Sequence, residues 1–232
     1  HRAGLALPSL GFTGFGTQFL DLDNDGDLDL LIANGRVKRT TRDGRERADA
    51  SVPGFWRDYA ERNQMFFNDG TGRFRRYENR TDPLVSRVEV SRGLATGDID
   101  NDGDLDVVIG NAAGPVRILL NNLNRRGEQA NDHHWLIVRA ELADRGGRMA
   151  LGAQVTVTAG ESTLTRLVQP ATSYLSSSDP RVHFGLGKAD QVRSIEVIWP
   201  DGTRESFAGG GVDRIVTIRK GEAVVRSGET GS

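Results

Sequence analysis

The chain has 232 residues, 37% of them hydrophobic and 27% charged, with a formal net charge of −2 and no cysteine. That length allows one large or two modest domains with a real core. The absence of cysteine excludes disulfides and thiolate metal sites, and a transmembrane helix is not expected, because no apolar run approaches the ~18 residues a span requires. The opening "HRAGLALPSL" has neither an initiator Met nor the apolar stretch of a signal peptide. It reads as a processed form or as part of a longer chain. Ten of the 32 acidic residues lie in two short clusters, leaving 22 acids against 30 Lys and Arg elsewhere. A basic body with two concentrated acidic loops points to cation sites. The basic residues are dispersed, except at 36–47, and lack interleaved aromatics, so nucleic acid is not an expected partner.

In chain order, the first elements are a strand at 18–20, the loop "DLDNDGDLD" at 21–29 and an apolar strand at 28–33. A long insertion at 36–62 follows, basic at first and then carrying Pro53-Gly54-Phe55-Trp56. It is expected to serve as a docking surface or as a solvated excursion anchored by Phe55 and Trp56. Strands at 64–68 and 73–77 come next, joined by "NDGTG", a hairpin turn. The pattern then repeats: a strand at 93–97, the loop "DIDNDGDLD" at 98–106, and strands at 105–110 and 116–121. Four short antiparallel strands per repeat is the pattern of a β-propeller blade. The second copy shows three strands, since "NLNRRGEQAND" is polar. Two blades do not close a ring. The expected fold is therefore all-β: propeller-type blades forming an incomplete propeller, at 1–124, followed by a β-sandwich or barrel-like domain at 131–225. The blades are completed by the remainder of a longer propeller chain or by a protein partner.

After residue 131, seven segments read as strands: "HWLIVRAEL", "GAQVTVTAG", "STLTRLVQP", "RVHFGLG", "SIEVIWPDG", "TRESFAG" and "RIVTIRKG". Val155 and Val157 alternate with Gln154, Thr156 and Thr158, the period of a half-buried strand. Pro200-Asp201-Gly202 reads as a hairpin turn. No segment shows a helical period.

The acidic loops carry the chemistry. Carboxylates about 4 Å apart repel by roughly 4 kcal/mol per pair at a surface-like dielectric, so their concentration demands a counter-ion. Asp21, Asp23, Asp25 and Asp29, with Asp98, Asp100, Asp102 and Asp106, occupy positions 1, 3, 5 and 9 of two nine-residue loops. Asp27 and Asp104, at position 7, are expected to offer backbone carbonyls. Gly26 and Gly103, at position 6, permit a sharp bend. Oxygen ligands without His or Cys favour Ca2+, giving two expected sites. The EF-hand requires a bidentate Glu at position 12. Here that position holds Ile32 and Ile109, both in strand-like runs, so each loop joins two strands.

These residues carry a resemblance. "DLDNDGDLDLLIANG" and "GDIDNDGDLDVVIGN" resemble FG-GAP (VCBS-type) repeats, the calcium-binding blades also found in integrin α-subunit propellers. "GAQVTVTAG", "SYLSSSDPRVHFGLG" and "VIWPDGT" resemble the ASPIC/UnbV domain. The combination is similar to the cartilage acidic protein family and its bacterial relatives. The resemblance implies calcium binding and recognition outside the cytoplasm, in the periplasm or after secretion, within a longer exported chain.

A catalytic constellation is not apparent. His133 and His134 are adjacent on a strand and point to opposite faces, so they do not chelate together. His183 reads as structural or surface-facing. Ser176–Ser178 with Asp179 lack the G-x-S-x-G elbow of a nucleophilic serine and read as a polar turn. Three functions follow as expectations: a non-catalytic, calcium-binding recognition or scaffold module; an accessory subunit of a larger assembly, reaching a membrane peripherally through its partner; and a carbohydrate-active enzyme or glycan-binding lectin on a calcium propeller.

Overall fold

The structure is a computed structural model that describes residues 3–38, 47–122, 132–143 and 146–222. The described chain is all-β apart from two four-residue helices, α1 (Ala6–Ser9) and α2 (Pro83–Ser86), and a 3-10 helix at Gly54–Tyr59. The sequence reading contained no helix at these places. Four to six residues are too short to display a 3.6-residue period. Tertiary contacts divide the chain into two units.

The first unit contains β1 (Gly14–Leu20), β2 (Asp29–Asn34), β3 (Glu61–Arg62), β4 (Gln64–Asn68), β5 (Phe74–Arg76), β6 (Val88–Glu89), β7 (Ser91–Gly97), β8 (Asp106–Asn111) and β9 (Arg117–Leu119). One four-stranded sheet runs β1-β2-β4-β5 and one three-stranded sheet runs β7-β8-β9, all antiparallel. These are the two blades, and no described sheet closes into a ring or barrel. The tips follow the turn chemistry. Gly70 and Gly72 both adopt positive φ in the turn after β4, where the Asp69 N–H donates to the Arg73 carbonyl at 3.0 Å. The polar stretch after β9 falls at 123–131, outside the described residues, as do 39–46 of the insertion.

The core of this unit lies between the two sheets. Leu20, Leu22, Leu31, Ala33 and Met65 from the first blade meet Leu94, Val107 and Ile109 from the second. Strand parity explains the split: Leu31 and Ala33 share one face of β2, whereas Val107 and Ile109 take the opposite-parity face of β8. The leading strands approach closely. A Cβ at Gly16 in β1 would lie 2.6 Å from Leu94 Cβ and 2.9 Å from the Arg92 carbonyl oxygen in β7. Gly16→Ala is therefore expected to destabilise this unit by about 1–3 kcal/mol through overpacking, read as a lower urea midpoint. Gly72→Ser, at an open position, serves only as a test of turn strain.

The described part of the insertion is held by a small cluster of its own. Val52, Ala60, Val88 and Val90 are buried, with Trp56 and Tyr59 packed against them. Trp56 acts as an anchor; Phe55 does not, being 61% exposed and touching Trp56 edge-on. The excursion closes on itself where the Arg36 N–H donates to the Tyr59 carbonyl at 2.8 Å. Glu61 fastens its end, accepting the Thr13 N–H at 3.0 Å and pairing with Arg36 at 3.0 Å. Burial pushes the Glu61 carboxyl above its ordinary range despite these partners.

The second unit contains β10 (His134–Leu142), β11 (Arg148–Met149), β12 (Gln154–Ala159), β13 (Ser162–Leu167), β14 (Val182–Gly187), β15 (Gln191–Ile198), β16 (Arg204–Gly211) and β17 (Arg214–Arg219). β10 is central in one sheet, antiparallel to β14 and β11 and parallel to β17. The other sheet runs β13-β12-β15-β16. Leu136, Val138 and Ala140 from the first sheet and Val155, Val157, Ile195, Val197 and Trp199 from the second form one core. This is a two-layer sandwich rather than a closed barrel. Val155 and Val157 point inward, while Thr156 and Thr158 pair with Thr165 and Thr163 across the outer face. Gly202, at φ +85°, closes the β15–β16 turn with an N–H bond to the Trp199 carbonyl at 2.8 Å.

Candidate metal loops and the serine strap

Both acidic loops leave the leading strand of a blade and return into its second strand. Asn24 and Asn101, at position 4, adopt φ of +60° and +59°; Gly26 and Gly103, at position 6, adopt +97° and +93°. Asn tolerates this left-handed backbone better than most residues, and Gly adopts it freely. The two reversals wrap each loop tightly. Asp21, Asp23 and Asp25 bring carboxylate oxygens within 4.8 Å of one another, and so do Asp98, Asp100 and Asp106. Positions 1 and 3 recur in both groups; the first loop adds position 5 and the second adds position 9. Asp27, Asp29, Asp102 and Asp104 are not members of these tight groups. The donor set is wholly carboxylate, which fits a hard divalent cation.

Hydrogen bonds show how the loops are framed. In the second loop the Asp98 carboxylate accepts the N–H groups of Asp102 at 3.1 Å and Gly103 at 3.0 Å. Asp102 accepts the Asp104 N–H at 3.0 Å. Asp104 is itself almost wholly buried. In the first loop Asp27 leans towards the β4–β5 turn, where a Cβ on Gly70 would lie 2.8 Å from its Oδ2.

Position 9 has a role that spacing did not reveal. Asp29 accepts the Leu22 N–H at 3.2 Å on one oxygen and the Asn68 N–H at 2.9 Å on the other. Asp106 repeats this, accepting the Ile99 N–H at 2.7 Å and the Asn121 N–H at 2.8 Å. Each buried carboxylate thus ties the start of its loop to the end of the blade's third strand. Asn68 and Asn121 are the missed partners. The signal was present as Asn ending "MFFN" and "RILLN" in the two copies.

The other candidates have structural employment. His134 Nδ1 lies 2.7 Å from Asp213 Oδ2, and Asp213 Oδ1 accepts the Trp135 N–H at 3.1 Å. His183 is buried in β14, so the surface-facing alternative does not hold; this strand is buried on both faces. Residues Ala171–Asp179 belong to the first unit. Ser173 Oγ accepts the Thr17 N–H of β1 at 3.0 Å. Ser176 Oγ and Ser178 Oγ accept the N–H groups of Leu94 and Thr96 in β7 at 2.9 and 3.1 Å. The Asp179 N–H donates to the Thr96 carbonyl at 2.9 Å. Serines two apart thus meet alternate donors along a strand edge, as a neighbouring strand would. We term this segment the serine strap. Replacing Ser176 and Ser178 together with Ala is expected to cost roughly 2–4 kcal/mol, because two donors lose their acceptors. Amide exchange at Leu94 and Thr96 should then accelerate.

Comparison with known proteins accords with this architecture. Residues 54–109 match the model of an FG-GAP-like repeat, 92–127 that of an FG-GAP repeat, and 143–225 that of ASPIC and UnbV. Cartilage acidic protein 1 of Homo sapiens is 27% identical over 246 residues, covering 88% of this chain and 36% of the relative. The Mus musculus and Xenopus tropicalis proteins of that name are each 33% identical, covering 52% and 54% of this chain and 19% of their own length. The chain thus spans about a third or less of the curated relatives it matches.

Proposed function

From FG-GAP-type repeats joined to an ASPIC/UnbV domain, we propose that the chain is a calcium-stabilised, non-catalytic recognition and scaffold module working outside the cytoplasm. The observation that carries this reading is the pair of loops, each collecting three carboxylates within 4.8 Å at equivalent places in a repeat. A bound calcium ion neutralises those carboxylates and ties the two strands of each blade together. Asp21, Asp23 and Asp25 hold one ion and Asp98, Asp100 and Asp106 the other; Asp27 and Asp104 add backbone carbonyls, with Asp29 and Asp102 completing the shells. Loop sites of this kind in extracellular modules bind at roughly 10⁻⁴–10⁻³ M, a range filled in the periplasm or cell exterior. No helix among the described residues is long and apolar enough to cross a membrane. Two features support a non-catalytic role: His134 is committed to Asp213, and Ser176 and Ser178 to the β7 backbone.

Asp23→Ala and Asp100→Ala should each remove one bound calcium while leaving the other, counted by equilibrium dialysis with elemental analysis. Retention of both ions in either variant would overturn the site assignment. A second reading, an accessory subunit of a larger membrane-associated assembly, is favoured by the exposed apolar face of the second blade, where Ile118 is 61% exposed. Sugar release from polysaccharides, or retention on a glycan array, would replace the scaffold reading with the enzyme or lectin one.

A further inference from the structure

The last strand of the first blade and the segment after it read "FRRYENR", which brings Arg75, Arg76 and Arg80 close together. Strand parity separates the first two: Arg75 is exposed, whereas the Arg76 side chain, on the opposite face of β5, is 26% exposed. Arg76 lines a pocket of about 260 Å³, as do Phe12, Arg62, Asn63, Glu78 and Arg80. All of them belong to the first unit. The pocket is smaller than the ~300–1,000 Å³ of sites for drug-sized ligands and suits one compact group. Three guanidiniums against the one carboxylate of Glu78 give these residues a formal surplus of two positive charges. The described second blade has no strand equivalent to β5, so the pocket stands apart from the plan the two blades share.

Two donors at this pocket lack acceptors. The Arg76 guanidinium lies over the Phe12 ring, 4.9 Å from its centroid. Stacking on an aromatic face leaves the N–H edge of a guanidinium available. Its Nε is 3.9 Å from Glu78, too long for a hydrogen bond, and the group donates none among the described residues. Asn63 is 4% exposed, and its Oδ1 accepts the Asn34 N–H at 2.9 Å. Its Nδ2 has no hydrogen-bond partner among the described residues, yet it is not sealed in the core, so it opens on to the space that Asn63 lines. An amide donor so nearly buried is unfavourable unless something accepts from it. Arg62 reaches the same space, its Nη1 donating to the Ser86 carbonyl. We propose that Arg62, Asn63, Arg76 and Arg80 form a binding site for a compact tetrahedral oxyanion, a free ion or a terminal phosphate ester. Guanidinium forks meet the oxygens of such groups with paired, charge-assisted hydrogen bonds, and the Asn63 amide adds a neutral donor. The surplus of two charges suits a dianion better than a lone carboxylate. None of these residues lies in an acidic loop, so the site is independent of the calcium reading.

Equilibrium dialysis of the 232-residue chain against radiolabelled inorganic sulfate, and separately against glucose 6-phosphate, tests the site at low ionic strength, where charges are least screened. One bound anion per chain is expected at millimolar concentration. Asn63→Asp keeps the acceptor for the Asn34 N–H and sets a carboxylate oxygen where the free donor stood, so binding should be abolished. Arg76→Gln should weaken binding roughly tenfold or more, the loss expected for a charge-assisted hydrogen bond. Arg75→Gln removes the same charge from the other face of β5 and should leave binding unchanged. Circular dichroism and melting curves check that each variant folds, and Arg76→Gln carries the test if Asn63→Asp does not. Tighter binding of glucose 6-phosphate assigns the site to an ester, and equal or tighter binding of sulfate assigns it to the free ion; either supports the proposal. No bound anion in the unsubstituted chain, or a loss in Arg75→Gln equal to that in Arg76→Gln, would overturn it.

Discussion

Stripping calcium with a chelator is expected to lower the melting temperature of the β1–β9 unit by roughly 10 °C or more. At a free concentration one-hundredfold above the dissociation constant, each ion stabilises the state that binds it by about 2.7 kcal/mol. Two ions contribute roughly 5 kcal/mol, and for domains of this size each kcal/mol moves the midpoint by about 2–4 °C. The physical origin is the crowding of carboxylates. Asp21, Asp98 and Asp106 are buried, and each acidic group lies close to two others. Without a counter-charge, that arrangement stores repulsion that unfolding releases. Asp98, Asp100 and Asp106 all belong to the blade unit, as do Asp21 and Asp23. The blade transition should therefore move furthest, which calorimetric scans with and without chelator would resolve. A single unshifted transition would contradict this.

The second large effect concerns Asp29. Asp29→Ala removes the acceptor of both the Leu22 and Asn68 N–H groups and leaves one buried and one half-buried donor without that partner. A buried donor without its acceptor costs about 1–3 kcal/mol, so the loss is roughly 2–6 kcal/mol. The decisive feature is its persistence in chelator. Asp23→Ala should matter chiefly when calcium is present, because that residue belongs to the carboxylate group. Asp29→Ala should destabilise with and without calcium, because it also holds the blade's backbone. Urea midpoints of both variants in both conditions separate the two roles.

Much of this architecture was legible in the sequence because it rests on short-range rules. The 64–68 strand coincides with β4, and the other blade strands shift by only one to four residues at their ends. Alternation identified the inward valines of β12, and Asp-Gly and Pro-Asp-Gly marked turns whose glycines do adopt positive φ. The repeat located both acidic loops, and the missing Glu at position 12 separated them from EF-hands. Long-range features were not legible. A carboxylate that accepts an N–H 39 residues later reads the same as a metal ligand, so the double role of Asp29 was hidden. The serine strap binds donors 82 residues back in the chain, and a run of serines reads locally as a turn. His183 defeated the alternation rule because β14 is covered on both faces. Phe55 and Trp56 read alike as anchors, yet the 3-10 turn directs only Trp56 onto the Val52 cluster.

These features give the loops two layers of construction. Position 9 and its Asn partner frame each loop from the blade's backbone, and three carboxylates converge inside that frame, Asp106 itself being one of those in the second loop. The most direct measurement is a calorimetric titration of the 232-residue chain with calcium up to millimolar concentration. Saturation at two ions per chain, falling to one in Asp23→Ala and in Asp100→Ala, is the predicted result. An absence of calcium-dependent heat across that range, with the chain folded by circular dichroism, would contradict the account.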